Sequence, residues 1–99
     1  MPTKNEVLDL LQTVEDPELM MGIVDLGLVY EVEVRDEEVY VEFTLTYPGC
    51  PAGDMIQSQI VEKVEQGTGM SVRAELVWNP PWAPEFMSDE AKVALGYPV

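Results

Sequence analysis

Tyr30-Glu31-Val32-Glu33-Val34-Arg35-Asp36-Glu37-Glu38-Val39-Tyr40-Val41-Glu42-Phe43-Thr44-Leu45-Thr46 is the stretch that decides the fold. Tyr30, Val32 and Val34 alternate with Glu31, Glu33 and Arg35. Val39, Val41, Phe43 and Leu45 alternate with Tyr40, Glu42, Thr44 and Thr46. A period of two is the mark of a half-buried strand. The polar run Arg35-Asp36-Glu37-Glu38 joins the two strands as a hairpin. Each strand has one apolar and one polar face, so the spacing predicts a sheet covered by helices on one face only.

Upstream, Thr3 is followed three residues later by Glu6, the signature of a capping box. Val7, Leu8, Leu11 and Val14 then recur at helical spacing, and Pro17 ends the helix near Val14. Asp16-Pro17-Glu18 reads as a new cap and first helical position. A short turn through Leu19 and Met20 follows, broken by Gly22, and Asp25-Leu26-Gly27 leads into the first strand.

Downstream, Pro51 suits the first position of a second helix, with Met55, Ile56, Ile60 and Val64 on its buried face and Val61 at the margin. Gly67 and Gly69 end it. A third strand follows from Met70 to Trp78, with Val72, Ala74, Leu76 and Trp78 on one side. A helix between two strands of one sheet is a crossover, so the second and third strands run parallel. The class is α+β: a two-layer α-β-β-α-β domain with a small three-stranded mixed sheet. Pattern leaves open which strand the third one neighbours. The chain reads as one domain over residues 1–99. Residues 79–99 form a proline- and tryptophan-rich tail, with Ser88 capping a short C-terminal helix, Asp89 to Leu95, closed by Gly96.

Composition narrows function. Nineteen acids against five bases give a formal charge of −14. Such a surface repels phosphate backbones and anionic membranes and suits basic protein partners. No signal-peptide pattern or membrane-length apolar run is visible, so the expected location is the cytoplasm. There is no histidine, which removes the Ser-His-Asp and Cys-His nucleophile systems and every His-ligated metal site. No glycine-rich phosphate loop appears, so nucleotide chemistry is not expected.

The chain has one cysteine, Cys50, in Thr46-Tyr47-Pro48-Gly49-Cys50-Pro51. It lies between a strand end and a helix start, where unpaired N–H groups favour a thiolate. Gly49 permits close backbone approach. The bland alternative is a small buried apolar cysteine. In this layout the entry to the first strand and the exit of the second share one end of the sheet. Asp25 and Thr46 are therefore expected near each other, with Cys50 close by. Asp16 and Glu18 belong to the same loop region. The spaced cysteines of zinc ribbons and ferredoxins are absent, and one thiol per chain cannot make a complete cluster site.

Taken with Val14-Glu15-Asp16-Pro17-Glu18, Ile23-Val24-Asp25-Leu26-Gly27-Leu28-Val29-Tyr30, Thr44-Leu45-Thr46-Tyr47-Pro48-Gly49-Cys50-Pro51, Val77-Trp78-Asn79-Pro80-Pro81-Trp82 and Met87-Ser88-Asp89-Glu90-Ala91, the chain resembles the family called domain of unknown function 59. That family includes SufT proteins, PaaD-like subunits of phenylacetate degradation and eukaryotic iron–sulfur targeting factors. The resemblance spans nearly the whole chain in order. It implies an iron–sulfur-cluster-assembly-like fold and a role in maturing iron–sulfur proteins. It also implies that Glu18, Asp25, Thr46 and Cys50 line the site. The leading expectation is thus a non-catalytic carrier or targeting factor that binds iron or a transient cluster through Cys50, shared with the second subunit of a homodimer or with a client, and that docks scaffold or client proteins. The alternatives are a small enzyme with Cys50 as nucleophile, a pure interaction module, and an accessory subunit of a phenylacetate-type oxygenase system.

Overall fold

The computed structural model of the chain describes residues 2–97; Met1, Pro98 and Val99, the ends of the expected 1–99 span, lie outside the described residues. Helix α1 (Lys4–Leu11) opens on the capping box: the Glu6 N–H donates to Thr3 Oγ1 at 3.1 Å, and the Thr3 N–H donates to Glu6 Oε1 at 3.2 Å. The helix stops at Leu11, three residues short of the expected end. Val14 is still fully buried, but from irregular chain.

The Asp16-Pro17 segment is not a helix start. β1 (Glu15–Asp16) and β2 (Met21–Gly22) form a two-stranded antiparallel hairpin instead. Asp16 Oδ1 accepts the Glu18 N–H at 2.8 Å, an Asx turn. The Met20 N–H returns to Asp16 O at 2.7 Å. The short polar side chain that caps helices also closes turns, so the two outcomes share one local signal.

β3 (Val29–Val34), β4 (Glu38–Phe43) and β5 (Ser71–Leu76) make the main sheet in the order β3-β4-β5. β3 and β4 pair antiparallel, and β4 and β5 parallel. The crossover is α2 (Gly53–Thr68), with Ile56, Ile60 and Val64 buried. Met55, expected on that buried face, is 53% exposed. Pro51 lies in a turn before the Ala52 N-cap, not at the first helical position. The helix continues through Gly67 and is capped by Gly69 in the left-handed region.

Val32, Val39, Val41, Phe43 and Ala74 of the sheet share one core with Val7 and Leu11 of α1, the α2 face, and Ile23, Leu26 and Leu28 of the strand-entry loop. Among the described residues the opposite face carries no helix layer, yet it is not bare. Tyr40 is buried there: the guanidinium carbons of Arg35 and Arg73 lie 4.6 and 5.8 Å from its ring centroid. Its O–H is shared between Glu42 Oε2 at 2.7 Å and Glu75 Oε2 at 2.8 Å.

A register shift between Val29 and Glu31 makes a bulge at Tyr30, which re-aims that side chain. The Tyr30 O–H donates to Pro80 O at 2.8 Å, and its ring meets Phe86 edge-on at 6.0 Å. Beyond β5, Trp82 Nε1 donates to Leu26 O at 2.7 Å and the Ser88 N–H donates to Asp25 O at 2.8 Å. A 3-10 turn (Pro84–Phe86) and helix α3 (Asp89–Leu95) complete the described chain, with the Ser88 side chain capping α3.

Gly27 lies where the tail crosses the strand-entry loop. Its φ is +75°, and a Cβ there would stand 2.3 Å from Phe86 O. Gly49, at φ +90°, has open space around it. Gly27→Ala therefore adds a backbone clash to the left-handed penalty and is expected to lower stability by about 3 kcal/mol. Gly49→Ala carries only the penalty of about 1 kcal/mol. Urea denaturation of the two variants checks the difference.

Candidate functional site

The loop from Thr44 to Ala52 leaves the C-terminal end of β4 and delivers Cys50 to the mouth of α2. Cys50 is 9% exposed. Its Sγ–H donates to Glu18 Oε1 at 3.3 Å, and Glu18 comes from the turn between β1 and β2. The Tyr47 O–H donates to the same carboxylate, at 3.1 Å to Oε2 and 3.3 Å to Oε1. One carboxylate thus gathers a thiol and a phenol.

Asp16 stands behind Glu18. It is 1% exposed, and its Oδ1 fixes the Glu18 backbone. Its Oδ2 is buried with no hydrogen-bond partner. A buried, unpartnered carboxylate oxygen is costly in a folded protein. Its negative charge is felt at Cys50.

This setting reverses the thiolate expectation. Burial pushes the Cys50 thiol above its ordinary range; the backbone N–H of Ala52 opposes that; Glu18, by hydrogen bond and charge, and then Asp16 push it up again. The helix N-terminus contributes one N–H, but desolvation and two carboxylates outweigh it. At neutral pH the group is a protonated thiol. The Tyr47 phenol is also raised, chiefly by its hydrogen bond to Glu18.

Two clefts flank the loop. One, of about 260 Å³, includes Cys50, Gly49, Asp54, Gln57, Leu76 and Trp78 in its lining. The other, of about 240 Å³, includes Thr46, Tyr47, Pro48, Trp78, Pro81 and Trp82. Leu45 and Trp78 form the shared wall. Among the expected site residues, Glu18 contacts the thiol and Gly49 shares its cleft. Thr46 lines the second cleft. Asp25 is exposed, and its backbone carbonyl holds the tail through Ser88. No hydrogen bond joins Thr46 or Asp25 to Cys50 among the described residues. Asp16 and Tyr47 are the contributors that sequence reasoning undervalued. Asp16 reads as a cap. Tyr47 offered only a phenol three residues from the thiol.

A family profile described as iron–sulfur cluster assembly protein matches residues 4–76. The chain belongs to this iron–sulfur cluster assembly family. A relative named Fe-S protein maturation auxiliary factor, from Porphyromonas gingivalis, is 41% identical, over 96% of this chain and 92% of that one. SufT of Staphylococcus aureus, with the same descriptive name, is 46% identical over 82% of this chain and 94% of its own. The crystal structure of a domain of unknown function 59 protein from Bacillus anthracis superposes with a TM-score of 0.90 at 38% identity, covering 94% of this chain and 91% of that one. The α-β-β-α-β core with its mixed sheet is therefore the family's fold.

A pH profile of Cys50 alkylation by iodoacetamide tests the electrostatics. Because only the thiolate reacts, a raised pKa moves the inflection above the value of about 8.5 for an unperturbed cysteine. Glu18→Gln removes one of the charges that hold the proton on sulfur, so its inflection is expected below that of the wild type. An unchanged profile would contradict the Glu18 contact.

Proposed function

We propose that this protein is a carrier or targeting factor for iron–sulfur clusters, without catalytic activity of its own, and that Cys50 binds iron or a cluster as cargo. The observation that carries the reading is a thiol kept protonated first by its burial and then by Glu18, which accepts its hydrogen bond, with the charge of the partly unpartnered Asp16 adding to the effect. The carboxylate contributions that raise the thiol are ones that a cation reverses. Two carboxylates that repel a thiolate attract a metal ion, and a ligated thiol gives up its proton. Glu18 already accepts the hydrogen bond, so the proton leaves through it as the sulfur–metal bond forms.

The same electrostatics argue against an activated nucleophile, which needs a depressed pKa or an adjacent base such as the missing histidine. Relatives named as maturation auxiliary factors support a role in cluster handling. Among the described residues no three His, Cys, Asp or Glu side chains come together to enclose a metal ion. Further ligands, a second thiol above all, therefore come from a scaffold, a client or a second copy of the chain. No helix among the described residues is long and apolar enough to cross a membrane. A cytoplasmic setting, which keeps a lone thiol reduced, suits this chemistry.

Anaerobic reconstitution with iron and sulfide tests the reading. Wild type is expected to take up iron with visible charge-transfer absorption, Cys50→Ala to lose it, and Glu18→Gln to bind more weakly. Equal uptake by wild type and Cys50→Ala, without cluster absorption in either, would remove Cys50 as a ligand.

A further inference from the structure

β5 is the last strand in the order β3-β4-β5, so among the described residues one of its sides has no strand neighbour. The Val77 N–H bonds Phe43 O on β4. Backbone groups alternate in direction along a strand, so those of Val72, Ala74 and Leu76 turn outward. The Ala74 carbonyl does so visibly: it accepts Gln57 Nε2 of α2 at 2.7 Å. That bond occupies one of the carbonyl's two lone pairs. The outward N–H groups have no backbone partner among the described residues.

Beside this edge runs a groove of about 660 Å³ between β5 and α2. Val61 and Val72 line it with the carboxylates of Glu62 and Glu65 and one cation, Arg73, which is paired with Glu75 at 2.8 Å. An unpaired strand edge with a helix alongside is the setting in which an extended peptide adds to a sheet. Gln57 lines both this groove and the Cys50 cleft, so the edge leads into that cleft.

We propose that the outer edge of β5 and the adjoining face of α2 dock an extended, lysine- or arginine-bearing segment of a partner protein, which joins the sheet as a fourth strand. Main-chain hydrogen bonds to Val72 and Ala74 fix its register. Its basic side chains lay their methylenes on Val61 and Val72 and set their charges against Glu62 and Glu65. A second copy of this chain fits the edge poorly. It would bring its own α2, with the same carboxylates, against this one, and each copy carries a formal charge of −14. The inference stands apart from the metal chemistry of Cys50.

The test uses the whole protein and a short fluorescein-labelled peptide of alternating threonine and lysine. Anisotropy is expected to show saturable binding, weakened by about tenfold or more in Glu62→Lys/Glu65→Lys. Glu37→Lys/Glu90→Lys carries the same net charge but changes sites away from the groove, and is expected to bind as wild type does. At saturation the Val72 and Ala74 amides are expected to exchange about tenfold more slowly. Absence of binding, equal weakening by the charge-matched control, or unchanged exchange at both amides would each overturn the proposal. Cys50→Ala binding the peptide like wild type separates this outcome from any failure of the cargo reading.

Discussion

The parallel pairing of β4 with β5 is the constraint on which the rest of the molecule depends. Parallel neighbours cannot be joined by a tight turn, so the chain must return across the sheet through α2. That return supplies the helical cover for the core, with Ile56, Ile60 and Val64 facing the sheet. It also decides where the loop carrying Cys50 lies. The exit of β4, the mouth of α2 and the exit of β5 all meet at one end, which is why Leu76 and Trp78 share a cleft with Cys50. The same topology leaves β5 at the margin of the sheet.

Placed there, the thiol is governed by what surrounds it more than by the helix it precedes. The turn between β1 and β2 folds over the loop and brings Glu18 to the sulfur, 32 residues away in sequence. Asp16 anchors that turn with one oxygen and leaves the other buried without a partner. The result is a small pocket of negative charge with a proton in it. Such a pocket favours the protonated thiol over the thiolate.

Much of this was legible in the sequence. The alternation from Tyr30 to Thr46 gave the hairpin. The Thr3–Glu6 pair gave the first helix, and the stripe from Ile56 to Val64 gave the crossover. Strand order was not legible, because both neighbours of the third strand satisfy the same pattern. The β1–β2 hairpin was also hidden, since it has only two paired residues per strand and Asp16-Pro17 serves equally for a helix cap. Within the site, the resemblance named Glu18, Asp25, Thr46 and Cys50, and the layout set Asp25 and Thr46 beside the thiol; of the three, Glu18 alone is hydrogen-bonded to it among the described residues. The protonation of the thiol was beyond sequence reasoning because desolvation and the approach of Asp16 are tertiary. Tyr40 sits on the polar face of its strand yet is buried, which depends on two arginines from neighbouring segments closing over its ring.

The contacts that hold the tail also make the strand-entry loop depend on sequence far from it. The carbonyls of Asp25 and Leu26 find their partners in Ser88 and Trp82, more than fifty residues further along the chain. A chain that stops at β5 contains every strand of the main sheet, yet it lacks those two donors and the Phe86 backbone that crosses Gly27. The tail is also part of the core, through the buried Met87 and Ala91. The loop bearing Asp25 and the core are therefore both completed by residues that follow the last strand.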